Sequence, residues 1–296
     1  AALLHLCRHL EGSDHLLPAN ILARNSSATN GPTLPKVALN DLPYPNFSPY
    51  FQEIHNLFTN QVFIPVLPIE FSRGCWWNRC SFCNLNLQWS GYRSKSSARM
   101  VAEALHLAKT HTCLQFAFAD NALPPVEADE FFASMAETCI DFDFFAEIRA
   151  LSTPARLASY RRGGMSKIQV GIEALSTTLL AKMAKGTTVM DNIAALKFSS
   201  GCQVQLEGNL ITEFPGTTPA EIRETLASLD FVLPFSPLQA ATFFLGYGAP
   251  IAASPKEFAI TAILPHSKNG KLFPRNLLRA MTMLIKIGNS QGVRIP

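Results

Sequence analysis

The sequence predicts an α/β fold organised around a parallel β-sheet. Six apolar runs alternate with segments of helical periodicity between residues 62 and 245, a pattern typical of β-α-β units joined by right-handed crossovers. Hydrophobic residues make up 48% of the 296 positions and charged residues only 16%. The chain therefore has enough apolar material for a large core.

The first 58 residues do not follow this pattern and do not resemble a complete domain. A helix-like opening is followed by a turn-rich linker at 25–32 and by the proline-rich segment 39–51, in which the prolines argue against a regular helix. We divide the chain into an N-terminal segment and linker (1–58), an α/β domain (59–250) and an incomplete C-terminal extension (251–296).

Within the α/β domain the predicted elements follow one another in order. We expect strands at 62–71, 114–119, 143–149, 167–173, 204–212 and 239–245. We expect helices at 97–110, 125–138, 153–162, 176–184 and 218–231. Ser152 or Thr153 is the expected cap of the third helix, and Thr218 with Glu221 has the spacing of a capping box for the last.

Polar side chains stand where four of the predicted strands end. They are Asp120 and Asn121, Glu147 and Arg149, Gln169 and Glu173, and Asn209 with Glu213. Charged groups just inside apolar strands are costly unless they are paired. Because functional residues of parallel α/β barrels lie at the carboxyl ends of the strands, we expect these side chains to share one site.

Three cysteines lie on one short loop directly after the first predicted strand. Cys75, Cys80 and Cys83 have the spacing C-x4-C-x2-C, and thiolates suit soft metal centres such as zinc or iron–sulfur clusters. Zinc would need a fourth ligand, usually from a second ligand pair, but the other four cysteines are scattered singly. A four-iron cube normally takes four cysteines. Three would leave one iron open to a small molecule, which is a catalytic arrangement.

The loop resembles the cluster loop of radical S-adenosylmethionine (SAM) enzymes. Phe82 holds the aromatic place before the last cysteine, although the usual spacing is C-x3-C-x2-C and this loop has one residue more. Residues 73–96, which include R-G-C-W-W and C-x-F-C-N-L-N, are similar to cobalamin-dependent radical enzymes that mature ribosomally made peptides. The resemblance implies a partial (β/α)6 TIM-like barrel, a 4Fe–4S cluster on the three cysteines, and reductive cleavage of SAM to a 5′-deoxyadenosyl radical.

The resemblance also implies a set of cofactor contacts, while no catalytic side chain is assigned beyond the cluster ligands. The second strand would lie near the methionine amino group, the third and fourth near the carboxylate and ribose hydroxyls, and the fifth near the ribose or adenine. The implied SAM contacts are Phe82, Ala119, Asp120, Asn121, Glu147, Arg149, Gln169, Glu173, Asn209, Phe214, Pro215 and Gly216.

The N-terminal segment extends the resemblance. Residues 39–51 are similar to the segment that joins a cobalamin-binding domain to the barrel in such enzymes. We therefore expect a piece of a longer protein that has lost most of that domain, whose parent could use cobalamin. The alternative is an ordinary proline-rich linker with no such origin. The expected partners are a peptide or other organic substrate, modified by C-methylation or related radical chemistry, and an electron donor protein.

Charge and composition exclude other classes. A net charge of +3 is too small to indicate a nucleic-acid partner, and the uncharged run 231–253 contains three prolines and two glycines, so we expect no membrane span. Seven cysteines, an odd number spread unevenly along the chain, do not indicate a disulfide framework and favour a reducing cytoplasm. Two alternatives stay open: a non-catalytic module with a structural zinc or cluster, and a radical enzyme acting on RNA. We interpret Trp76 and Trp77 as anchors of the loop.

Overall fold

The computed structural model describes residues 2–13, 37–59, 63–89, 91–150, 153–265, 271, 273–274, 276–277 and 285–288. The chain forms two compact units, Ala1–Pro43 and Tyr44–Pro296. The first unit contains helix α1 (Ala2–Leu10) and a 3-10 turn at Leu39–Asp41.

The second unit contains the remaining elements. Its helices are α2 (Ser48–Leu57), α3 (Ser97–His111), α4 (Pro125–Glu137), α5 (Pro154–Arg162), α6 (Thr177–Lys182), α7 (Val189–Gly201), α8 (Pro219–Val232) and α9 (Pro250–Ala253). Its strands are β1 (Leu67–Ile69), β2 (Ser72–Arg73), β3 (Arg93–Ser94), β4 (Gln115–Phe118), β5 (Asp143–Ile148), β6 (Met165–Glu173), β7 (Gln205–Thr212), β8 (Gln239–Thr242), β9 (Ala262–Pro265) and β10 (Ile285–Gly288). Among the residues described, no helix is both long enough and apolar enough to span a bilayer.

The predicted parallel sheet is confirmed. Six strands pair in the order β1-β4-β5-β6-β7-β8, every pair is parallel, and each strand lies beside the member of this sheet that follows it in the chain. Helices α3, α4, α5, α7 and α8 lie between successive strands of this sheet in the chain. The arrangement is a partial α/β barrel whose strand ends all meet at one edge.

Two of the predicted elements need correction. The first strand is shorter than 62–71: β1 covers Leu67–Ile69, and Val62 lies outside the described residues. Helix α7 was not predicted, because its buried face includes Asn192 and Ser199 beside apolar residues. Polar residues on the inward face weaken the hydrophobic periodicity by which a helix is detected.

The helix caps follow the sequence. Thr218 and Glu221 form the predicted capping box at the start of α8. Thr153 caps α5 by accepting a hydrogen bond from the Arg156 backbone, whereas the alternative cap, Ser152, lies outside the described residues.

The proline-rich segment is helical where the sequence argued against a helix. Pro49 lies in the first turn of α2, where a missing N–H removes no intrahelical hydrogen bond. Aromatic rings of this region pack on α3, with Tyr44 at 4.7 Å from His106 and Phe51 stacked at 4.8 Å on His111. Residues 44–51 therefore cover one side of the first crossover helix.

Phenylalanine side chains form the core beside the end of β1. Rings of Phe71, Phe118, Phe131 and Phe144 are buried, and their contacts have centroid separations from 5.4 to 5.9 Å. Aromatic pairs at this distance add to the free energy gained by burial. The residue at the start of the cysteine loop, Phe71, is therefore held in place by the aromatic core.

A short antiparallel pair closes the base of the cysteine loop. Strands β2 and β3 pair on either side of residues 74–92, and the Lys95 backbone N–H donates to the Phe71 carbonyl at 2.8 Å. The Lys95 ammonium lies 2.8 Å from the Glu103 carboxylate, and both side chains are buried. Arg99 contacts the same carboxylate at 2.9 Å. This buried ion pair ties the exit of the loop to α3.

Replacing Glu103 tests this anchor. We expect Glu103→Ala to lower the free energy of unfolding by about 3–5 kcal/mol, because it leaves the Lys95 ammonium buried without its carboxylate. The matched control is Glu137→Ala on the exposed end of α4, for which we expect a change within about 0.5 kcal/mol. Urea unfolding of both variants makes the measurement, and equal losses would contradict a buried anchor.

Candidate functional site

The three cysteines share one space at the carboxyl edge of the sheet. Burial raises the pKa of the Cys80 and Cys83 thiols, and the charge of Cys75 adds to the effect on both. Lys185 and Arg149 act in the opposite direction on Cys80. Each of these groups therefore lies near enough to the others for its charge to act on the thiols.

The stretch between Cys75 and Cys80, which is one residue longer than the usual spacing, contains a left-handed turn. Asn78 has φ 47° and is exposed. Asparagine adopts this conformation more easily than most residues because its short polar side chain can hydrogen-bond locally. The longer spacing is thus absorbed without a break in the loop.

The loop docks on the connection between α6 and α7, residues 183–188. The Ser81 backbone N–H donates to the Met183 carbonyl at 2.9 Å, and Trp77 Nε1 donates to the Ala184 carbonyl at 2.9 Å. The Trp77 ring also lies on Gly186, where a Cβ atom would stand 2.0 Å from the indole. A glycine is required at this position for the ring to approach so closely.

Arg149 lies against the loop. The residue is 8% exposed, its Nη2 donates to the Lys185 carbonyl, and its guanidinium carbon lies 5.3 Å from the Trp76 ring centroid and 4.4 Å from that of Trp77. Burial lowers the pKa of Arg149, while the thiols and a carboxylate nearby oppose that shift.

Two carboxylates and one ammonium lie at the ends of β5 and β6. Lys185, 6% exposed, places its Nζ 3.0 Å from Glu173 Oε1. Burial raises the pKa of Glu147, with the Glu173 charge as a second cause. Within the described residues these groups form a compact set of opposite charges, which can bind a ligand that carries both an ammonium and a carboxylate.

Lys185 was not among the site residues that the sequence indicated. Lysine is usually exposed, so nothing in the local pattern indicates that this one is buried. One sequence feature could have indicated a site role for this lysine. It directly follows the predicted helix 176–184, and the strand before that helix ends at Glu173.

Glu173 is held in an unusual backbone conformation. Its φ is 62°, and the buried Asn192 side chain donates to the carbonyls on either side of it, Ile172 and Ala174, at 2.9 Å each. A left-handed residue other than glycine is costly and persists where its neighbours hold it. Asn192 on the unpredicted helix α7 therefore positions a predicted site residue.

Asp120 ties the end of β4 to the start of the loop. Its buried carboxylate accepts hydrogen bonds from the Phe71 backbone N–H at 2.9 Å and from both the backbone N–H and the hydroxyl of Ser72. Burial raises the pKa of Asp120 to about 7. Of its predicted neighbours at the methionine amino group, Ala119 is exposed and Asn121 is half-buried.

The predicted residues of β6 and β7 lie on adjacent strands. Gln169 pairs in register with Glu147 on one side and Glu207 on the other, and Asn209 pairs with Gln239. Both are half-buried. They add polar side chains to the two strands that follow β5 in the sheet.

An apolar group completes the site. The Phe82 ring lies 6.4 Å from Phe214, which is buried in a second core cluster and lies 5.2 Å from Phe243. Pro215 is also buried, and the Gly216 carbonyl accepts a hydrogen bond from Lys182. The last cysteine is therefore fixed next to the segment that follows β7.

The donor set suits an iron–sulfur cluster. Three thiols on one loop lie beside two cations, and the buried Arg149 Nε has no hydrogen-bond partner in the part of the chain that the structure describes. Clusters are held by cysteine thiolates, and hydrogen bonds to their sulfur atoms tune them. Over the same residues, no group of three or more His, Cys, Asp or Glu is arranged around a single metal ion.

A cavity of about 460 Å³ lies at the opposite end of the sheet. Residues before β4, β5 and β6 line it, among them Cys113, Asp141 and Arg161. It contains none of the predicted site residues. In an α/β barrel this end contributes to stability, whereas the chemistry takes place at the other.

Comparison with known proteins identifies the family. The family model of the Radical SAM superfamily matches residues 69–229, more than half of the chain. The chain belongs to this superfamily. The matched region of this radical SAM protein begins at β1 and ends in α8, so it contains the cysteine loop and the strand ends described above.

Individual relatives are more distant. An uncharacterized methyltransferase of Pyrococcus horikoshii is 26% identical over 167 residues, which cover 55% of this chain and 36% of the relative. The cobalamin-dependent SAM radical enzyme OxsB, with aqua-cobalamin and SAM bound, has a TM-score of 0.70 at 17% identity. The radical SAM methyltransferase TsrM from Kitasatospora setae, with tryptophan and a SAM analogue bound, has a TM-score of 0.57 at 16% identity.

These structures share the partial barrel of this chain, which confirms the predicted fold. The alignment with OxsB covers 86% of this chain and 43% of OxsB, and that with TsrM covers 65% and 38%. The chain therefore spans less than half the length of the relatives that it matches.

Replacing Gly186 tests how the loop docks. We expect Gly186→Ala to lower the free energy of unfolding by about 1–3 kcal/mol more than Gly91→Ala, because only at Gly186 does the new methyl group meet the Trp77 ring. Both glycines have positive φ, so the conformational cost of about 1–2 kcal/mol is shared by the two variants. Urea unfolding makes the comparison, and equal losses would show that the ring does not rest on Gly186.

Asp120 gives the fold a dependence on pH. Its pKa in the folded chain, about 7, lies above the ordinary value of 3.8, so the folded state holds the proton more tightly than the unfolded state. Its contribution to stability is complete below pH 4 and is lost as the pH rises through 7. We expect the unfolding free energy of the wild type, minus that of Asp120→Asn, to be smaller at pH 8 than at pH 5. A difference independent of pH would contradict the raised pKa.

Proposed function

We propose that this chain is the catalytic barrel of a radical SAM enzyme that binds a 4Fe–4S cluster through Cys75, Cys80 and Cys83. The observation that carries the proposal is the position of these thiols, on one loop, beside Lys185 and Arg149 at the carboxyl edge of the sheet. A site with three thiolates leaves one iron for SAM. When bound, the reduced cluster supplies the electron that cleaves SAM to a 5′-deoxyadenosyl radical.

The side chains around the thiols position SAM. Lys185 offers the ammonium for its carboxylate, and Glu173 and Glu147 offer carboxylates for its amino group and ribose hydroxyls. These contacts are charge-assisted and therefore directional. Phe82 and the buried Phe214 give the apolar surface that excludes water near the reacting atoms.

The other residues predicted to contact SAM are part of the same proposal. We assign Gln169 and Asn209, which lie on neighbouring strands, to the nucleoside, and Asn121 and Ala119, which follow β4, to the amino group. Pro215 and Gly216 extend this edge.

Transfer of a methyl group to carbon is the reaction class that we propose. OxsB binds cobalamin, and both TsrM and the Pyrococcus protein are described as methyltransferases. Cobalamin would then be supplied by a part of the parent protein outside this chain. We further propose a peptide or another organic molecule as the substrate, an electron donor protein as the partner, and the cytoplasm as the compartment.

Anaerobic reconstitution with iron and sulfide tests the proposal. We expect the reduced wild type to give a four-iron electron paramagnetic resonance signal that shifts when SAM is added, and to form 5′-deoxyadenosine. Cys80→Ala should lose the cluster signal and the product. Cys7→Ala, an exposed position on α1, should keep both. Tight zinc in place of iron, or a cluster whose signal ignores SAM, would overturn the proposal.

A further inference from the structure

We propose that Trp76, Trp77 and Arg149 form a clamp that fixes the cysteine loop before iron arrives and holds one positive charge against the cluster. Arg149 is then a positioning residue for the cluster and not a ligand of the SAM carboxylate. The second half of this inference rests on the proposed function, because it requires a cluster on the three cysteines. The first half concerns the chain alone.

The clamp is defined by its geometry. The two indole rings are nearly perpendicular, with an interplanar angle of 85° and centroids 6.4 Å apart. The guanidinium carbon of Arg149 lies 5.3 Å from one centroid and 4.4 Å from the other. A cation within about 6 Å of an aromatic face is attracted to it, more strongly where water is excluded. One buried guanidinium therefore engages both rings.

Each of the three side chains of the clamp donates a hydrogen bond to a backbone carbonyl. Trp76 Nε1 donates to the Leu123 carbonyl at 3.2 Å, Trp77 Nε1 donates to the Ala184 carbonyl at 2.9 Å, and Arg149 Nη2 donates to the Lys185 carbonyl. These carbonyls belong to the connection between β4 and α4 and to that between α6 and α7. The clamp therefore joins three parts of the chain without SAM, and of its polar atoms the buried Arg149 Nε has no hydrogen-bond partner among the described residues.

The contacts of the Arg149 guanidinium make it a poorer ligand for the SAM carboxylate than the Lys185 ammonium. A ligand of the SAM carboxylate needs two free donors on one edge of the guanidinium to form the bidentate pair that arginine favours. One terminal nitrogen of Arg149 is used by a backbone carbonyl, and indole rings pack against the guanidinium. The buried ammonium of Lys185, by contrast, has a carboxylate partner that a ligand can exchange.

The clamp also gives the longer cysteine spacing a physical reason. Four residues separate Cys75 from Cys80, and two of them are the tryptophans that enclose the guanidinium. The left-handed turn at Asn78 returns the chain to Cys80 after the second ring. The additional residue thus makes room for two rings on one cation.

A fixed cation here favours the reduced cluster. Reduction adds one negative charge to a cluster held by thiolates, and Arg149 interacts with the charges of both Cys80 and Cys75. Hydrogen bonds and nearby charge are among the quantities that set a cluster potential. Removing this charge should therefore make the cluster harder to reduce.

Amide hydrogen exchange of the iron-free chain tests the fixing of the loop. We expect peptides covering residues 74–84 to exchange at least tenfold faster in Arg149→Met than in the wild type, and faster in Arg149→Lys too, because lysine lacks the planar fork. The control is Arg79→Met, which removes an exposed arginine 5.2 Å from the Trp77 ring and should leave the exchange unchanged. Unchanged exchange in both Arg149 variants would overturn the clamp.

The midpoint potential of the reconstituted cluster tests whether the positive charge of Arg149 favours the reduced state. We expect Arg149→Met to shift the one-electron equilibrium about tenfold towards the oxidised cluster, which corresponds to 59 mV. Arg149→Lys, which keeps the charge, and Arg79→Met should stay near the wild-type potential. An unshifted potential in Arg149→Met would overturn the electrostatic part of the proposal.

The remaining outcomes are also decisive. If Arg149→Met weakens SAM binding while loop exchange and potential stay unchanged, Arg149 is a carboxylate ligand and the proposal is wrong. If Arg149→Met fails to fold, Arg149→Lys carries the exchange test alone. If the wild type assembles no cluster, the proposed function fails, and the exchange result still decides whether the clamp exists.

Discussion

Everything at the candidate site depends on hydrogen bonds between the cysteine loop and main-chain carbonyls of residues 182–185. A loop of small hydrogen-bonded turns has little core of its own, so it is ordered by what it rests on. Ser81, Trp77 and Arg149 all donate to this one stretch of backbone. Because the same stretch carries Lys185, the surface that orders the thiols also sets the charge beside them.

Several charged side chains are buried at the site, and each needs a partner of opposite charge or a hydrogen-bond donor. Glu173 faces Lys185, Arg149 faces thiols and indole rings, and Asp120 is surrounded by donors from the start of the loop. A buried charge without a partner is strongly unfavourable, and a well-paired one is close to neutral. The arrangement therefore serves position and electrostatics more than stability, and the aromatic core beneath it supplies the stability.

Much of this fold, and the cysteine loop, could be predicted from sequence. The alternation of apolar runs and helices determines the strand order, and Thr218 with Glu221 marks a helix start by local chemistry alone. The roles of Asp120 and Lys185 could not be predicted, because both depend on contacts with chain segments distant in sequence. Helix α7 was missed because Asn192 occupies its buried face in order to hold β6.

The contact between Trp77 and Ala184 joins positions 107 residues apart. A ribosome adds about 5–20 residues each second, so the cysteines emerge roughly 5–20 seconds before the backbone on which they rest. During that interval the loop has no surface to order it, and its thiols are exposed to solvent, oxidants and stray metal ions. The order of synthesis thus leaves the three thiols without their supporting surface until the first four sheet strands have been made.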